Sequence, residues 1–137
     1  MQNIFYETII FIPAVSFIAA VFIKWILVKG QTGKWNMTRA LGSGGMPSVH
    51  TSVVVALATA FALKYGISSE YFAIVMAFTV IIIYDAINVR FEAGLHAEAI
   101  NRAIWEKKFK ESLGHLPSEA FAGSILGIIV AVVLYFL

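Results

Sequence analysis

Four long apolar segments, separated by polar connections, dominate the pattern of the sequence. They cover residues 8–28, 47–63, 71–89 and 117–137. A membrane-spanning helix needs about 20 predominantly apolar residues, and the two middle segments are short or polar at one end. The first segment is preceded by Glu7 and is longer than the apolar region of a signal peptide, so we expect a retained membrane helix. The pattern predicts an all-α integral membrane helical bundle with about four transmembrane helices, forming a single membrane domain over residues 1–137.

The connections between these segments differ in length and character. Residues 64–70 predict a tight turn, whereas residues 29–46 form a longer polar loop that contains glycine. Residues 91–114 carry apolar side chains near helical spacing, among them Leu95, Ala99 and Ile104, and charged side chains on the other faces. This pattern is typical of an amphipathic helix lying at the membrane surface.

The composition agrees with a membrane protein. Of the 137 residues, 60% are hydrophobic and 13% are charged, whereas soluble domains are about half apolar and about a quarter charged. The chain has no cysteine, which excludes disulfides and thiolate metal sites. Its net charge is +2 and it has no basic run with interleaved aromatic residues, so we expect no nucleic-acid partner.

The distribution of positive charge predicts an orientation in the membrane. Four spans would place both termini and the turn at residues 64–70 on one side, and the two long loops on the other. Eight of the ten Lys and Arg lie in or beside those loops: Lys29, Lys34, Arg39, Arg90, Arg102, Lys107, Lys108 and Lys110. The positive-inside rule therefore predicts cytoplasmic loops, with any site that they carry on the cytoplasmic face. Lys24 lies within the first span, where its long stem can reach toward an interface.

Three polar residues beside the apolar segments are expected at the same membrane face. His50 lies near the start of the second segment, Arg90 follows the third, and His115 precedes the fourth. Each also has a structural explanation, because an arginine or histidine at a membrane interface is common. The neighbouring Ser48 can likewise be explained as a helix cap. Those explanations treat the residues separately and leave their shared location unexplained.

Together these residues suit phosphate chemistry. Glycines before a helix N-terminus allow an anion to approach exposed N–H groups, and an arginine binds phosphate oxygens in a bidentate manner. Of two histidines beside a phosphoryl group, one can attack phosphorus and the other can protonate the leaving oxygen. Glu119 lies four residues after His115 and can orient its imidazole. His50 has no such neighbouring carboxylate, which favours the acid role for it.

Three motifs resemble a known superfamily. "GGMPSVHTS" (residues 44–52), "YDAINVRFEAGLHAEAIN" (84–101) and "LGHLPSEAFAG" (113–123) together resemble the small divergent membrane branch of the type 2 phosphatidic acid phosphatase and vanadium haloperoxidase superfamily. The resemblance extends from about residue 42 to residue 127. It implies phosphoryl transfer from a lipid phosphate through a phosphohistidine, with no metal and no other cofactor.

The resemblance also implies roles for individual residues. By position, Gly45, Ser48 and the Val49 backbone would bind phosphate, and His50 would be the acid. Arg90 matches the phosphate-binding arginine of the superfamily, His115 the nucleophile and Glu119 the orienting carboxylate. Asp85 and Asn88 also match the motif of the divergent branch, but the resemblance implies no role for them. We expect Asp85 to form a salt bridge with Arg90 or Lys24.

The sequence departs from the superfamily pattern in three respects. Val49 replaces a small residue, and about two dozen residues separate Arg90 from His115. His96 matches the compact spacing after Arg90, but Ile100 then occupies the carboxylate position, so His115 is favoured. The first motif of the superfamily has no clear copy, and its candidate replacements are Lys24, Lys34 and Arg39.

Two small-residue repeats suggest how the helices pack. Gly123-x-x-x-Gly127 and Ala56-x-x-x-Ala60 permit close approach of helices in lipid. Packing of the second segment on the fourth would bring His50 and His115 together. The same repeats could equally form a homodimer.

The function that these residues predict is a membrane lipid-phosphate phosphatase acting on a phosphatidate-like or polyprenyl (di)phosphate lipid. The alternatives are a non-catalytic binder or carrier of lipid phosphate, a structural membrane subunit and a metal-dependent hydrolase. The missing first motif and Val49 favour the binder over a standard enzyme.

Overall fold

The computed structural model describes residues 7–42 and 44–137, which form helices and connecting loops and no β-strand. Six α-helices lie entirely within these residues: α1 (Phe11–Thr32), α2 (Met37–Leu41), α3 (Val49–Tyr65), α4 (Glu70–Tyr84), α5 (Arg90–Ile104) and α6 (Pro117–Phe136). A π-helical segment, Asp85–Val89, joins α4 to α5 without a break. The predicted all-α class is confirmed.

In the part of the chain that the structure describes, three helical stretches are long and apolar enough to cross a membrane: α1, the continuous helix Glu70–Ile104, and α6. The 17-residue α3 is apolar but shorter. Most of the apolar surface of α1, α4 and α6 faces outward, as expected for helices surrounded by lipid. The chain is therefore a helical membrane bundle.

Small residues form the interior of the bundle. On α1, the buried side chains recur every four residues from Ile12 to Val28, and on α6 the buried positions Gly123, Gly127 and Ala131 follow the same spacing. A Cβ added to Gly123 would lie 2.5 Å from the Ser48 carbonyl oxygen, and one on Gly127 would meet the Ser52 carbonyl oxygen. Helices α3 and α6 are thus in close contact along their small residues, as the repeat predicted.

The Gly123-x-x-x-Gly127 repeat is used inside the chain. Its contact with α3 brings His50 and His115 to neighbouring positions. Of the two uses expected for the repeat, packing within the chain and homodimer formation, the structure therefore shows packing within the chain. A third helix joins through Ser16 of α1, whose hydroxyl lies 2.6 Å from the Ser52 hydroxyl and donates to the Ser52 carbonyl at 3.1 Å.

The region after the third apolar segment differs from its prediction. Residues 91–114 were expected to be helical throughout, but α5 ends at Ile104 and residues 106–116 contain no helix. The helix stops where Trp105 adopts a left-handed conformation, with φ of 55°, and where the Asn101 side chain binds the backbone that follows. The loop then returns along α5, since Gly94 has no side chain to obstruct the carbonyl oxygens of Glu111 and Leu113.

Candidate active site

The π-helical segment brings Asp85 and Arg90 together. Residues five apart in an α-helix point about 140° away from each other. In the wider π-turn the backbone N–H of Arg90 donates to the Asp85 carbonyl. The two side chains then meet, with Arg90 Nε 2.5 Å from Asp85 Oδ2. The ion pair expected for Asp85 is therefore present, and Arg90 is its partner. Such π-turns are frequent at functional sites. Asn88 lies on the same segment, is exposed, and donates from Nδ2 to the Tyr84 carbonyl at 3.3 Å.

The same segment holds the backbone of His115. The inserted residue shifts the helical hydrogen-bond register, which makes a carbonyl available to donors outside the helix. Ala86 supplies that carbonyl, and the His115 N–H donates to it at 2.9 Å. Gly114, at φ of 73°, lies against the backbone of Phe91, where a Cβ would collide. The loop that follows α5 is thereby attached beside Arg90.

His115 and Glu119 form the pair that their spacing predicted. His115 Nδ1 lies 3.0 Å from Glu119 Oε2, and the same oxygen accepts the Leu116 N–H at 3.2 Å. His115 precedes α6, while Glu119 lies in the first turn of that helix. The carboxylate therefore binds the imidazole and caps the helix at once.

Burial lowers the pKa of His115 below its ordinary value of 6.5, and the hydrogen bond and charge of Glu119 oppose this shift only in part. The side chain is 3% exposed. A neutral imidazole that donates from Nδ1 to a carboxylate has a free electron pair on Nε2. This is the protonation state that a nucleophilic histidine requires.

One small cavity joins the three residues that were expected at a common membrane face. His50, Arg90 and His115 line it, together with Ile82, Ala86 and Gly114. Its volume is about 10 Å³, about the space of one water molecule. The nucleophile, acid and arginine candidates therefore meet at one end of the bundle, although they lie up to 65 positions apart in the sequence.

The Ser48 hydroxyl forms hydrogen bonds with Thr51 at the start of α3. It lies 2.9 Å from Thr51 Oγ1 and accepts the Thr51 N–H at 3.4 Å, which caps α3. The Ser48 N–H donates to the Glu119 carbonyl at 3.1 Å. Ser48 and Val49 are both buried, and neither belongs to the lining of the small cavity. Ser48 thus connects the start of α3 to the first turn of α6.

A larger cavity lies on the other side of Glu119. Its volume is about 510 Å³, and Lys24, Arg39, Gly45 and Glu119 are among the residues that line it. Lys24 is 2% exposed, and its ammonium donates to the Gly42 carbonyl at 2.6 Å. The side chain of Lys24 is therefore buried in the protein and extends to the polar loop that follows α1.

Two candidates lie away from both cavities. Lys34 is exposed in the connection after α1, and His96 is exposed on α5. Neither is among the residues that line the small or the large cavity. His115 therefore has the geometry expected of the nucleophile, and His96 does not.

Asn101 is a residue that the sequence analysis missed. Its Nδ2 donates to the Phe109 carbonyl and to Glu111 Oε1, each at 2.8 Å. Its Oδ1 accepts the N–H groups of Lys108 and Phe109, at 3.1 and 2.8 Å. The available signal was its position as the last residue of "YDAINVRFEAGLHAEAIN" and its low propensity for a helix interior. It shapes the loop that ends at His115.

Within residues 7–42 and 44–137, no three His, Asp or Glu side chains form a group that could hold a metal ion. The described site consists of a histidine–glutamate pair, a second histidine and an arginine paired with an aspartate.

The fold and these residues define a small helical membrane protein with a histidine-based site at one end of its bundle. A family model described as the Divergent PAP2 family matches residues 5–130, and the chain belongs to this family. The chain is also 36% identical over 146 aligned positions to the uncharacterized membrane protein YuiD of Bacillus subtilis (strain 168), an alignment that covers 89% of this chain and 92% of that protein. No solved structure matches the chain. The resemblance drawn from the three motifs is confirmed.

Proposed function

We propose that this protein is a membrane lipid-phosphate phosphatase that acts through a phosphohistidine intermediate. One observation carries the proposal: His50, Arg90 and His115 line a common cavity while Glu119 binds His115 through Nδ1. Membership of a divergent phosphatase-related family supports this chemistry without defining a substrate. The membrane bundle suits a phosphatidate-like or polyprenyl (di)phosphate lipid, whose apolar tail would remain in the bilayer.

The first step is attack on phosphorus. The Nε2 electron pair of His115 forms an N–P bond while the bond from phosphorus to the leaving oxygen breaks. His50, in its protonated form, donates a proton to that oxygen. Arg90, held by Asp85, stabilises the negative charge on the phosphoryl oxygens.

The second step releases phosphate. His50, now neutral, takes a proton from water, and the resulting hydroxide forms a new O–P bond as the N–P bond to His115 breaks. Inorganic phosphate leaves and both histidines return to their starting state. Glu119, bound to Nδ1, stabilises the positive charge that the imidazole carries during transfer.

The small cavity has to widen before it can accept a phosphoryl group, because its volume is about 10 Å³. Helix α4 packs against α3 and contributes Ile82 to this cavity, and most of its side chains face outward. Movement of α4 relative to α3 would therefore open the cavity toward lipid at little cost in buried contacts.

The test is phosphate release by the purified protein in detergent, with phosphatidate and polyprenyl phosphates and diphosphates as substrates. We expect His50→Ala to lower kcat by about 10²- to 10⁴-fold, since it removes a general acid. His115→Ala should abolish phosphohistidine formation, which is detected as alkali-stable labelling. His96→Ala is the matched control and should leave the rate unchanged.

Equal phosphate release by the wild type and both histidine variants would contradict the assignment. Loss of activity on treatment with a chelator would contradict the metal-free mechanism.

A second candidate function is a non-catalytic binder or carrier of lipid phosphate. The departures from the superfamily pattern at Val49 and at the first motif favour it over a standard enzyme. Tight binding of a lipid phosphate that remains unhydrolysed by the wild type would support this function over catalysis.

A further inference from the structure

Lys24 is a charged residue within a helix long and apolar enough to span a membrane. A buried charge within the membrane is costly unless it is paired or functional. It lies on the buried face of α1, four residues after Ala20 and four before Val28, and its ammonium donates to the Gly42 carbonyl at 2.6 Å. One acceptor leaves two further N–H groups on the ammonium, and these belong to a side chain that lines the large cavity.

The stem of Lys24 lies against the glycine turn that precedes α3. Gly45 has φ of 86°, a conformation that other residues rarely adopt, and a Cβ there would lie 3.3 Å from Lys24 Cε. Lys24 therefore binds the Gly42 carbonyl and occupies the space beside Gly45 that a side chain there would need. The turn continues directly into Pro47, Ser48 and His50.

The ammonium of Lys24 shares its cavity with Glu119, away from the reacting side of His115. Glu119 lines the large cavity, whereas His50, Arg90 and His115 line the small one. Glu119 binds Nδ1 of His115, so an attack from Nε2 places the phosphoryl group on the opposite side of the ring. In-line displacement then directs the leaving group still further from Glu119.

We propose that Lys24 is a positioning residue, which acts on the His115–Glu119 pair and on the glycines before α3 without touching the phosphoryl group. Its positive charge acts on the His115 imidazole from the side of Glu119, and its side chain holds Gly42 and lies beside Gly45 on the way to His50. The inference rests on the proposed function, and it differs from a direct phosphate contact by the first-motif lysine that the resemblance suggested.

The charge of Lys24 also acts on His115. Four charged or titratable groups surround that imidazole: Lys24 from α1, His50 from α3, Arg90 from α5 and Glu119 from α6. The charges of Lys24 and Arg90 lower the pKa of His115, and Glu119 raises it. Removal of the Lys24 charge should raise the pKa of His115. Because the nucleophile must be neutral, the acidic limb of the activity profile should move to higher pH.

The experiment compares Lys24→Gln, which keeps a donor for the Gly42 carbonyl and removes the charge, with Lys24→Arg, which keeps the charge. Lys64→Met, at the opposite end of α3, is the control for loss of a lysine. The pKa of His115 is measured by NMR titration in detergent, with the three histidines of the chain assigned by single substitution. The acidic limb of the kcat profile and inhibition by vanadate are measured on the same samples.

We expect Lys24→Gln to raise the pKa of His115, move the acidic limb with it and lower kcat, while vanadate inhibition changes by less than about threefold. Lys24→Arg and Lys64→Met should keep the wild-type pKa. An unchanged pKa in Lys24→Gln, or a loss of vanadate affinity of about tenfold or more with kcat unchanged, would overturn the proposal. Wild-type protein without phosphatase activity would contradict the proposed function alone, since the NMR titration still measures the effect of Lys24 on His115.

Discussion

At the scale of the residue, a single carboxylate oxygen, Oε2 of Glu119, both orients an imidazole and caps a helix. It accepts from His115 Nδ1 and from the Leu116 N–H. Orientation of the imidazole and the start of α6 therefore depend on the same atom. The neighbouring Ser48, whose N–H donates to the Glu119 carbonyl, ties this point to α3.

Glu119→Gln should separate these tasks. The amide can still accept the Leu116 N–H, so α6 should begin at the same residue and the protein should remain folded. We expect kcat to fall by about 10³- to 10⁴-fold, as for other catalytic histidines that lose their carboxylate partner. Because Glu119 raises the pKa of His115, its replacement should lower that pKa and move the acidic limb of the activity profile to lower pH.

This shift is opposite in sign to the one expected for Lys24→Gln, so NMR titration of His115 in the two variants forms a matched pair. Ser124→Ala, one turn further along α6, is a suitable control. Movement of the acidic limb to higher pH in Glu119→Gln would contradict the electrostatic account of the pair.

At the scale of the element, the decisive feature is the loop that follows α5. Asn101 makes four hydrogen bonds to residues 108–111, and the loop then continues to the Ala86 carbonyl through the His115 N–H. The long insertion between Arg90 and His115 is therefore an ordered structure that returns the chain to the π-helical segment.

Asn101→Ala should loosen this loop. The amides of Lys108 and Phe109 lose their acceptor, and we expect their hydrogen–deuterium exchange to accelerate about tenfold or more, since one hydrogen bond is worth about 1 kcal/mol or more when its partner is left unpaired. Phosphatase activity should fall with it. Arg102→Ala, which removes an exposed ion pair with Glu98, should change exchange little because surface pairs contribute at most about 1 kcal/mol. Equal exchange in the two variants would contradict the role of Asn101.

The elements that the sequence predicted are those set by local patterns. Apolar length gave the helices, and the spacing of four residues gave the contact between His115 and Glu119. The π-turn and the end of α5 at Ile104 could not be predicted, because the amphipathic pattern continues through both and only tertiary contacts to Ala86 and Asn101 determine them. The burial of the Lys24 side chain could not be predicted for a similar reason, because a lysine near an interface and a lysine facing the interior look alike in sequence.

At the scale of the whole molecule, the site lies where the two long loops meet the bundle. Both loops carry most of the positive charge of the chain, and we propose that this side faces the cytoplasm. A homodimer also remains our proposal, and it would need a face other than Gly123 and Gly127, which are covered by α3 within the chain. The outward-facing sides of α1, α4 and α6 are the available alternatives.

Single-cysteine labelling can test the orientation, because the natural chain has no cysteine. We expect Lys108→Cys, in the loop after α5, to be protected from a membrane-impermeant thiol reagent in intact cells and labelled after permeabilisation. Ser68→Cys, in the exposed turn between α3 and α4, should be labelled in both. The reverse pattern would place the site on the outer face.

Because of the π-turn, the site depends on the number of residues between Asp85 and Arg90 as well as on their identity. Loss of any one residue between Asp85 and Val89 would restore a regular α-helix and leave hydropathy, charge and helical content nearly unchanged. Arg90 would then lie four residues after Asp85 and could keep its ion pair, but the regular hydrogen-bond register would no longer leave the Ala86 carbonyl available to the His115 N–H. Within this family, a one-residue gap at this position should therefore separate chains that keep the site from chains that keep only the bundle.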